Sequence, residues 1–303
     1  MSSASAHTSP YADPGPDRLG LASAFAAALA WGLTGIFVRL LDGLTPSLIV
    51  LARMSIALIA FSPFVLRDPR GFLAALRTPL GLFMGLYYIL ATEAFTRAPV
   101  AEVTLIIGLS PIVALGLDRA TGAKIAPRSL IGAGVAIAGL ALFLAPSAKQ
   151  GGDTRFVGDA LAFGAATVSA AYAFSLRRRV LAGRTLETRS LTAAACAMGV
   201  LLAGGGELLA HLVHPADAML FEPDVRSLSL LLGLGLVSTA LPTLAFGLAA
   251  ARLPTVVTTS FSLIVPLWAA MFAGMFLREW PPLLSLPGGV ATLLGVWIVL
   301  RTK

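Results

Sequence analysis

The chain has 303 residues, of which 57% are hydrophobic and only 12% are charged, and its net charge is +7. A soluble domain carries about a quarter charged residues, so the composition excludes an ordinary soluble protein. Long apolar runs instead predict an all-α integral membrane protein. The positive charge then gives no reason to expect a nucleic-acid partner, and the single Cys196 excludes a disulfide within the chain.

The start of the chain differs in composition from everything that follows. Residues 1–18 are small, polar and rich in proline, and such a segment buries too little apolar surface to become ordered. They lack the basic start of a signal peptide, and the apolar run behind them is too long for one. We therefore predict a disordered cytoplasmic tail over 1–18, followed by a retained first helix.

Ten apolar runs follow the tail, and each is long enough to cross about 30 Å of hydrocarbon as a helix. Most connections are short, so consecutive helices should lie side by side and antiparallel. The longest connection is His214–Arg226. The predicted spans are Leu19–Leu41, Thr45–Leu66, Pro79–Phe95, Ala101–Leu117, Ser129–Ala145, Phe156–Leu176, Ser190–Leu212, Leu228–Ala249, Val256–Leu277 and Leu283–Leu300.

The distribution of basic residues predicts the orientation of these spans. Cytoplasmic loops are enriched in lysine and arginine. If both termini are cytoplasmic, 15 of the 22 basic residues lie on the cytoplasmic side. Six lie on the opposite side, and the remaining one, Arg53, lies within a span. The sequence therefore predicts that the N-terminus and the C-terminus both face the cytoplasm.

A proline interrupts the fourth span partway across the bilayer. Pro111 lacks the N–H of a helical hydrogen bond and clashes with the carbonyl of Ile107, so we predict a helix break at Ser110–Pro111. In lipid, such a break must face protein or a watery cavity. The pattern recurs 155 residues later in the chain. Arg97, Pro99, Thr104 and Pro111 correspond to Arg252, Pro254, Thr259 and Pro266.

This recurrence divides the chain into two similar halves, 19–146 and 156–300, with five spans each. Because five is an odd number, the second half enters the membrane upside down relative to the first. The sequence thus predicts ten transmembrane helices arranged as two inverted five-helix repeats. Interrupted helices in matching positions of such repeats indicate a transporter's substrate site. We expect the breaks at Pro111, Pro242 and Pro266 to act in gating.

Several stretches carry a family resemblance, namely ALAWGLTGIFVRLL at Ala28–Leu41, LARMSIAL at Leu51–Leu58, the run Glu93–Leu115 and IGAGVAIAGLALFL at Ile131–Leu144. With their second-half counterparts they resemble the drug/metabolite transporter superfamily, specifically its ten-helix EamA family, and within it the YddG-type exporters of aromatic and related amino acids. The resemblance implies a monomeric exporter of the bacterial inner membrane. Its central cavity would be lined by spans one, three, four, six, eight and nine.

The resemblance leaves the driving force of transport open. Small multidrug relatives exchange a drug for protons on a glutamate of the first span, but Leu19–Leu41 contains no acidic residue. A proton antiport of that type is therefore not predicted, and export is either proton-coupled by another group or facilitated.

Aromatic and hydroxyl side chains in the middle of spans are the candidates for binding a substrate. A mid-span tyrosine needs a partner for its hydroxyl, and a mid-span tryptophan lies away from the interfacial belts where tryptophan usually anchors. The alternative is that these side chains satisfy or pack against neighbouring helices. The predicted substrate-binding residues are Trp31, Tyr87, Tyr88, Thr243 and Trp268.

Two further hydroxyl clusters surround the prolines of the second half. Such clusters could bind a zwitterionic substrate, or they could satisfy the carbonyls that the prolines leave free. The clusters are Ser238, Thr239 and Thr243 around Pro242, and Thr258, Thr259, Ser260 and Ser262 before Pro266.

Charged residues near the predicted outer face form a third candidate group. Arg53 lies about 12 Å below that face at 1.5 Å per residue, and Glu93 has a comparable depth. Charges within a membrane are rare and generally paired, and Glu93 also has Arg97 at helical spacing. We predict a charge cluster of Arg53, Glu93 and Arg97, joined by Arg39 and Glu102. Its role is either structural or in substrate or proton coupling.

No motif indicates a cofactor or a metal ion. The spacing of His211 and His214 near Asp217 and Glu222 superficially resembles a metal site, but these residues lie on a predicted outer loop, and we predict no metal. The sequence contains no Walker A motif, HExxH, nucleophile elbow or dinucleotide fingerprint.

The resemblance and the spans together predict a secondary transporter that exports small metabolites, with aromatic or other hydrophobic amino acids as substrates. One alternative is efflux of drugs or other metabolites. An alternative of another class is a membrane-embedded enzyme acting on lipid-linked substrates, which needs convergent carboxylates, histidines or metal ligands at one membrane face.

Overall fold

The computed structural model describes residues 17–122, 124–148, 153–213, 224–252 and 261–301, and within them all regular secondary structure is helical. We number the helical segments by the predicted span that each occupies. In chain order they are Arg18–Gly32 with Thr34–Leu40, Pro46–Arg67, Pro79–Arg97, Val100–Ile107 with Ser110–Ala120, Pro127–Ala148, Asp153–Leu181, Thr188–Val213, Val225–Leu232 with Gly233–Ala240 and Leu241–Arg252, Phe261–Ile264 with Val265–Phe272 and Ala273–Leu277, and Leu283–Ser285 with Leu286–Arg301.

Some predictions concern residues outside these ranges. They include most of the tail over 1–18, of which only Asp17 and Arg18 are described: Asp17 caps the first helix, and Arg18 begins it. The other predicted residues outside the described ranges are His214, Asp217, Glu222, Pro254, Thr258, Thr259 and Ser260.

By length and apolar composition, eight of the described helices could cross a membrane. The third segment makes a ninth if it is counted together with Pro69–Leu76, and Val265–Leu277 is a shorter apolar helix in the ninth segment. The chain is therefore an all-helical, multi-pass membrane protein, as its composition predicts. The full count of ten spans and the inverted repeat remain predictions.

A short helix precedes the third segment where the sequence analysis placed a connection. Pro69–Leu76 begins at the Asp68 N-cap, whose carboxylate accepts a hydrogen bond of 2.9 Å from Gly71 N–H. Asp followed by Pro is a typical helix start, so the local signal was present. The two helices meet at 72°.

Polar contacts join the segment ends in a pattern that fits antiparallel neighbours. At one end of the bundle, three polar pairs join different segments. They connect the end of the first segment to that of the ninth, the start of the fourth to that of the sixth, and the start of the second to the end of the seventh. The pairs are Arg39–Glu279, Glu102–Arg155 and Thr45–Glu207. At the opposite end, Asp17 bonds to Arg252 at 3.3 Å. We call the first end, together with Glu93 and Arg97, the ion-pair face.

Glycines let the fifth and tenth segments touch backbone to backbone. A Cβ added at Gly295 would lie 2.3 Å from the backbone nitrogen of Ala136, and one at Gly288 would lie 2.4 Å from that of Phe143. Only glycine permits so close an approach of two helices. These glycines therefore pack helices within one chain.

The largest buried cluster combines residues from the six segments that the family resemblance assigns to a central cavity. These are the first, third, fourth, sixth, eighth and ninth, with Ile49 added from the second. Representative members are Ile36, Phe95, Val103, Ala165, Leu234 and Ala269. The predicted site residues lie on or beside these segments.

Candidate functional site

The first segment is interrupted in its middle, which the sequence analysis did not predict. Its helix ends at Gly32 and resumes at Thr34. At the interruption, the carbonyl of Ala30 accepts hydrogen bonds from Leu33 N–H at 3.3 Å and from the hydroxyl of Ser238 at 3.0 Å. A side chain of the eighth segment therefore satisfies the break in the first.

The ninth segment reaches the same break from another side. A Cβ added at Gly32 would lie 2.7 Å from the Cβ of Trp268, so only glycine fits there. The Trp268 ring packs edge-on against Phe25, with a centroid distance of 5.6 Å, and stacks on Phe272 at 5.9 Å. Its indole N–H is buried and has no hydrogen-bond acceptor among the described residues. Trp31 instead packs against Phe246 at 5.3 Å.

The eighth segment contains a π-helical stretch, Gly233–Ala240, immediately before Pro242. Pro242 cannot donate to the carbonyl of Ser238, and the wider turn adapts the helix to this loss. The hydroxyl of Thr239 donates to the carbonyl of Leu234, five residues earlier, at 2.9 Å. That of Thr243 donates to the carbonyl of Thr239 at 2.7 Å. Single π turns inside α-helices are frequent at functional sites.

Arg53 belongs to the second segment, and its side chain contacts the third and eighth segments. It is only 1% exposed. Its Nε and Nη2 donate to Thr239 Oγ1 at 3.2 and 2.8 Å, and its Cζ lies 4.9 Å from the centroid of the Tyr88 ring. Tyr87 packs edge-on against Tyr88 with a centroid distance of 5.2 Å. Among the described residues, no carboxylate forms a salt bridge with Arg53.

The predicted charge cluster is therefore divided in the structure. Glu93 pairs with Arg97 on its own helix, with Arg97 Nε at 2.8 Å from Glu93 Oε1. Arg53 belongs to neither this pair nor the other pairs of the ion-pair face. Equal depth in two helices did not bring Arg53 and Glu93 into contact, because their side chains leave the helices in different directions.

A half-open pocket of about 330 Å³ lies on the ion-pair face. Its charged lining combines Arg39, Asp42, Glu93 and Arg97, and the loop between the first two segments forms its other wall. Three of these residues, Arg39, Glu93 and Arg97, already form ion pairs on the same face. The pocket therefore lies among structural ion pairs rather than at the helix breaks.

The helix breaks in the fourth and ninth segments lie directly before their prolines. The fourth segment ends one helix at Ile107 and begins another at Ser110, with Pro111 in its first turn. In the ninth, Pro266 occupies the first turn of Val265–Phe272, behind a 3-10 turn at Phe261–Ile264. Both prolines thus occupy the helix starts that they favour.

The predicted binding residues form two neighbouring groups. Trp31 and Trp268 lie at the break of the first segment, whereas Tyr87, Tyr88 and Thr243 lie close to Arg53 and Thr239. The eighth segment connects the groups, because Ser238 reaches the first segment and the adjacent Thr239 reaches Arg53. Among the described residues, no aromatic ring contact joins Trp31 to Trp268 or to the tyrosines.

Sequence reasoning missed the break at Gly32, the ring partners Phe25 and Phe246, and the bond between Arg53 and Thr239. A lone glycine and a buried arginine are weak local signals, since their meaning depends on which helix lies opposite. Within the described part of the chain, no group of three or more histidine, cysteine or carboxylate side chains could hold a metal ion.

Comparison with known proteins adds three findings. The EamA-like transporter family matches residues 18–145. A protein of Streptantibioticus cattleyicolor named "Probable terminal-alkyne amino-acid exporter" is 30% identical over 290 residues, covering 92% of this chain and 89% of its own length. A solved crystal structure with 17% identity aligns with 92% of this chain and 95% of its own, at a TM-score of 0.60. At that identity, the likeness concerns the fold alone.

Proposed function

The chain belongs to the EamA-like transporter family, and on that premise we propose that it is a secondary transporter exporting amino acids with aromatic or other large apolar side chains. Transport proceeds by alternating access through a central cavity. The name of the Streptantibioticus relative, a probable terminal-alkyne amino-acid exporter, supports amino acids as the substrate class.

One observation carries this proposal: interrupted segments from both halves of the chain meet at one place. The break of the first segment at Gly32 contacts the π-helical turn of the eighth through Ser238 and the proline-started helix of the ninth through Trp268. In transporters, discontinuous helices meet at the substrate site because their free backbone groups can bind ligands there and their joints can bend.

The architecture that goes with this function is ten transmembrane helices in two inverted repeats, 19–146 and 156–300, in the bacterial inner membrane with both termini cytoplasmic. The excess of basic residues on one side and the polar pairs between alternate segment ends support it. Monomeric operation follows from the family resemblance.

Within the site, we assign the substrate's side chain to Trp31, Trp268, Tyr87 and Tyr88, and hydroxyl contacts to Thr243. Each well-placed ring contact contributes about 0.5–1.5 kcal/mol. The breaks at Pro111, Pro242 and Pro266 are the joints at which the segments bend between the two open states. A Pro111→Ala, Pro266→Ala double variant should insert normally and transport more slowly, because straighter helices gate less readily.

The experiment is transport by the purified protein in proteoliposomes. Vesicles are loaded with radiolabelled phenylalanine, leucine or the drug cation ethidium, and efflux is measured with and without a pH gradient. We expect saturable efflux of both amino acids that exceeds that of ethidium. Efflux of ethidium alone would favour the multidrug alternative, and no protein-dependent efflux at all would overturn the proposal.

Two variants locate the site in the same assay. Trp31→Ala should weaken phenylalanine binding about three- to tenfold, since 1.4 kcal/mol is a factor of ten. The matched control is Trp297→Ala in the tenth segment, whose ring is 39% exposed and packs under Arg301. If both variants fold and carry phenylalanine at the parent rate, the site lies elsewhere.

A further inference from the structure

Arg53 is a charged side chain without a described counter-charge in the interior of a membrane protein. It is the eighth residue of the helix Pro46–Arg67, about 10 Å from its start at 1.5 Å per residue. At 1% exposure it is among the most completely buried side chains of the molecule. Removing a guanidinium from water to such a place is costly unless an anion compensates it.

The described contacts of the Arg53 guanidinium are with a hydroxyl and an aromatic ring. A guanidinium carries five N–H donors. Two of Arg53's donors converge on the single oxygen of Thr239, and among the described residues the other three have no acceptor. The Tyr88 ring, at 4.9 Å, offers its face to the cation. These neutral groups orient the guanidinium but do not neutralise it.

A close approach of the eighth segment to the second, at Gly235, brings Thr239 to Arg53. A Cβ added at Gly235 would lie 2.7 Å from Ile56 and 3.2 Å from the carbonyl oxygen of Arg53, so the eighth segment can approach the second this closely only with glycine there. The π turn then places Thr239 toward Arg53 and its neighbour Ser238 toward the broken first segment. Arg53 is thus linked, through two adjacent residues, to the helix breaks.

We infer that Arg53 is the group that binds the carboxylate of the transported amino acid, with Thr239 and Tyr88 holding its guanidinium in position. This rests on the proposed function, since it assigns one end of the proposed substrate. A carboxylate accepts two parallel N–H bonds from one guanidinium, and the pair is strong where water is excluded. The substrate's anion supplies the negative charge that no described residue provides at this position.

The first test compares acids with their amides. Proteoliposomes with the parent protein are assayed for phenylalanine and leucine against phenylalaninamide and leucinamide, which lack the anion. We expect the acids to be carried at least about tenfold faster. In Arg53→Met, acid transport should fall roughly thirtyfold or more, while amide transport should change less than about threefold.

The outcomes separate this inference from the proposed function. If the parent protein carries acids and amides equally, or if Arg53→Met keeps the preference for acids, the amino-acid exporter stands and the role of Arg53 is wrong. If the parent carries no amino acid, both fall. Amide transport by Arg53→Met also reports that this variant is folded.

If Arg53→Met does not fold, a second variant tests whether Arg53 binds the substrate's carboxylate. Thr239→Val keeps the shape and leaves the Arg53 side chain present, but removes the hydroxyl that holds its guanidinium in position. We expect phenylalanine to bind about three- to tenfold more weakly, with phenylalaninamide unchanged. A structural role alone predicts weaker binding of both.

Thr292→Val is the matched control for that substitution. Thr292 and Thr239 are each 1% exposed, and each donates to a carbonyl of its own helix, Thr292 to Gly288 at 2.9 Å. Only Thr239 accepts from an arginine. If both valine variants change acid and amide binding in the same ratio, the inference is overturned.

Discussion

The arginines on the ion-pair face and Arg53 in the interior are compensated in different ways. Each of Arg39, Arg97 and Arg155 meets a carboxylate, and their side chains keep 34%, 40% and 20% of their surface exposed. Arg53 is 1% exposed, and its described partners are a hydroxyl and an aromatic ring. The most deeply buried of the four cations is thus the one for which the described part of the chain supplies no anion.

On our proposal, the difference separates ion pairs that join segment ends from a cation that binds the substrate's carboxylate. On the ion-pair face, oppositely charged residues stabilise contacts between segment ends at modest cost, because water still reaches them. A fully buried cation receives no such help from solvent. Replacing it with an apolar residue of similar size would remove the cost of burying its charge, so we expect folding to depend little on Arg53.

The largest stability effect should come from Glu102→Gln. Glu102 is 5% exposed at its side chain and holds Arg155 through both of its carboxylate oxygens. Removing the carboxylate leaves a partly buried guanidinium without its counter-charge, at a cost of about 3 kcal/mol of unfolding free energy. Thermal unfolding in detergent would measure it. Arg53→Met removes a buried charge together with its desolvation cost, so this variant should lose no more than about 1 kcal/mol. If it lost as much stability as Glu102→Gln, the contrast between Arg53 and the ion-pair face would be wrong.

An intermediate effect is expected for Glu279→Gln. Glu279 joins the ninth segment to the first through Arg39, at 2.5 Å, and accepts from the backbone N–H of Val100 at 3.4 Å. Because both side chains are partly exposed, we expect a loss of about 1 kcal/mol. Salt should lower the stability of the parent protein more than that of the variant, since it screens the ion pair. Equal salt dependence would argue against a stabilising pair.

Glu93→Gln should have a smaller effect, about 0.5 kcal/mol or less, because its pair with Arg97 is exposed and lies within one helix. A double-mutant cycle sharpens the comparison. Since Arg53 and Glu93 have separate partners, the effects of Arg53→Met and Glu93→Gln should add. A coupling energy of about 1 kcal/mol or more would restore the predicted cluster.

The smallest effect concerns two exposed helix caps. The backbone N–H of Gly20 lowers the pKa of the Asp17 carboxyl below its ordinary value of 3.8, and hydrogen bonds from Ser227 do the same for the pKa of Asp224. Their contribution to stability is therefore present above pH 3.8 and is lost as the pH falls through the lowered values. An Asp17→Asn, Asp224→Asn variant keeps caps that do not titrate. Between pH 5 and about 3, it should lose slightly less stability than the parent, and an identical decline would show that the caps contribute nothing.

Much of the architecture could be predicted because it depends on local sequence. Runs of apolar residues fix which stretches are helical and long enough for a membrane, and Ser110–Pro111 fixes a break, since proline lacks its N–H wherever the chain goes. The family resemblance in the first half depends on the same local patterns, and the EamA-like match over 18–145 agrees with it.

The candidate site could be predicted only in part. Trp31 and Trp268 do lie at a helix break, but the break itself, at Gly32, became recognisable only once Trp268 was found opposite it. The π turn before Pro242 likewise depends on Thr239 and Leu234 meeting within a helix that packs on two others. The presence of a glycine or a hydroxyl residue in the sequence does not predict which neighbouring helix it will face.

The placement of Arg53 shows where the limit lies. The sequence by itself determined its depth, because each helical residue adds a fixed rise along the helix axis, and Glu93 lies at a comparable depth. The tertiary structure alone decided its partners, because the direction of a side chain around that axis depends on how each helix is rotated, bent and packed. That rotation placed Arg53 against Thr239 and Tyr88. The pair of Glu93 with Arg97 follows instead from their spacing on one helix.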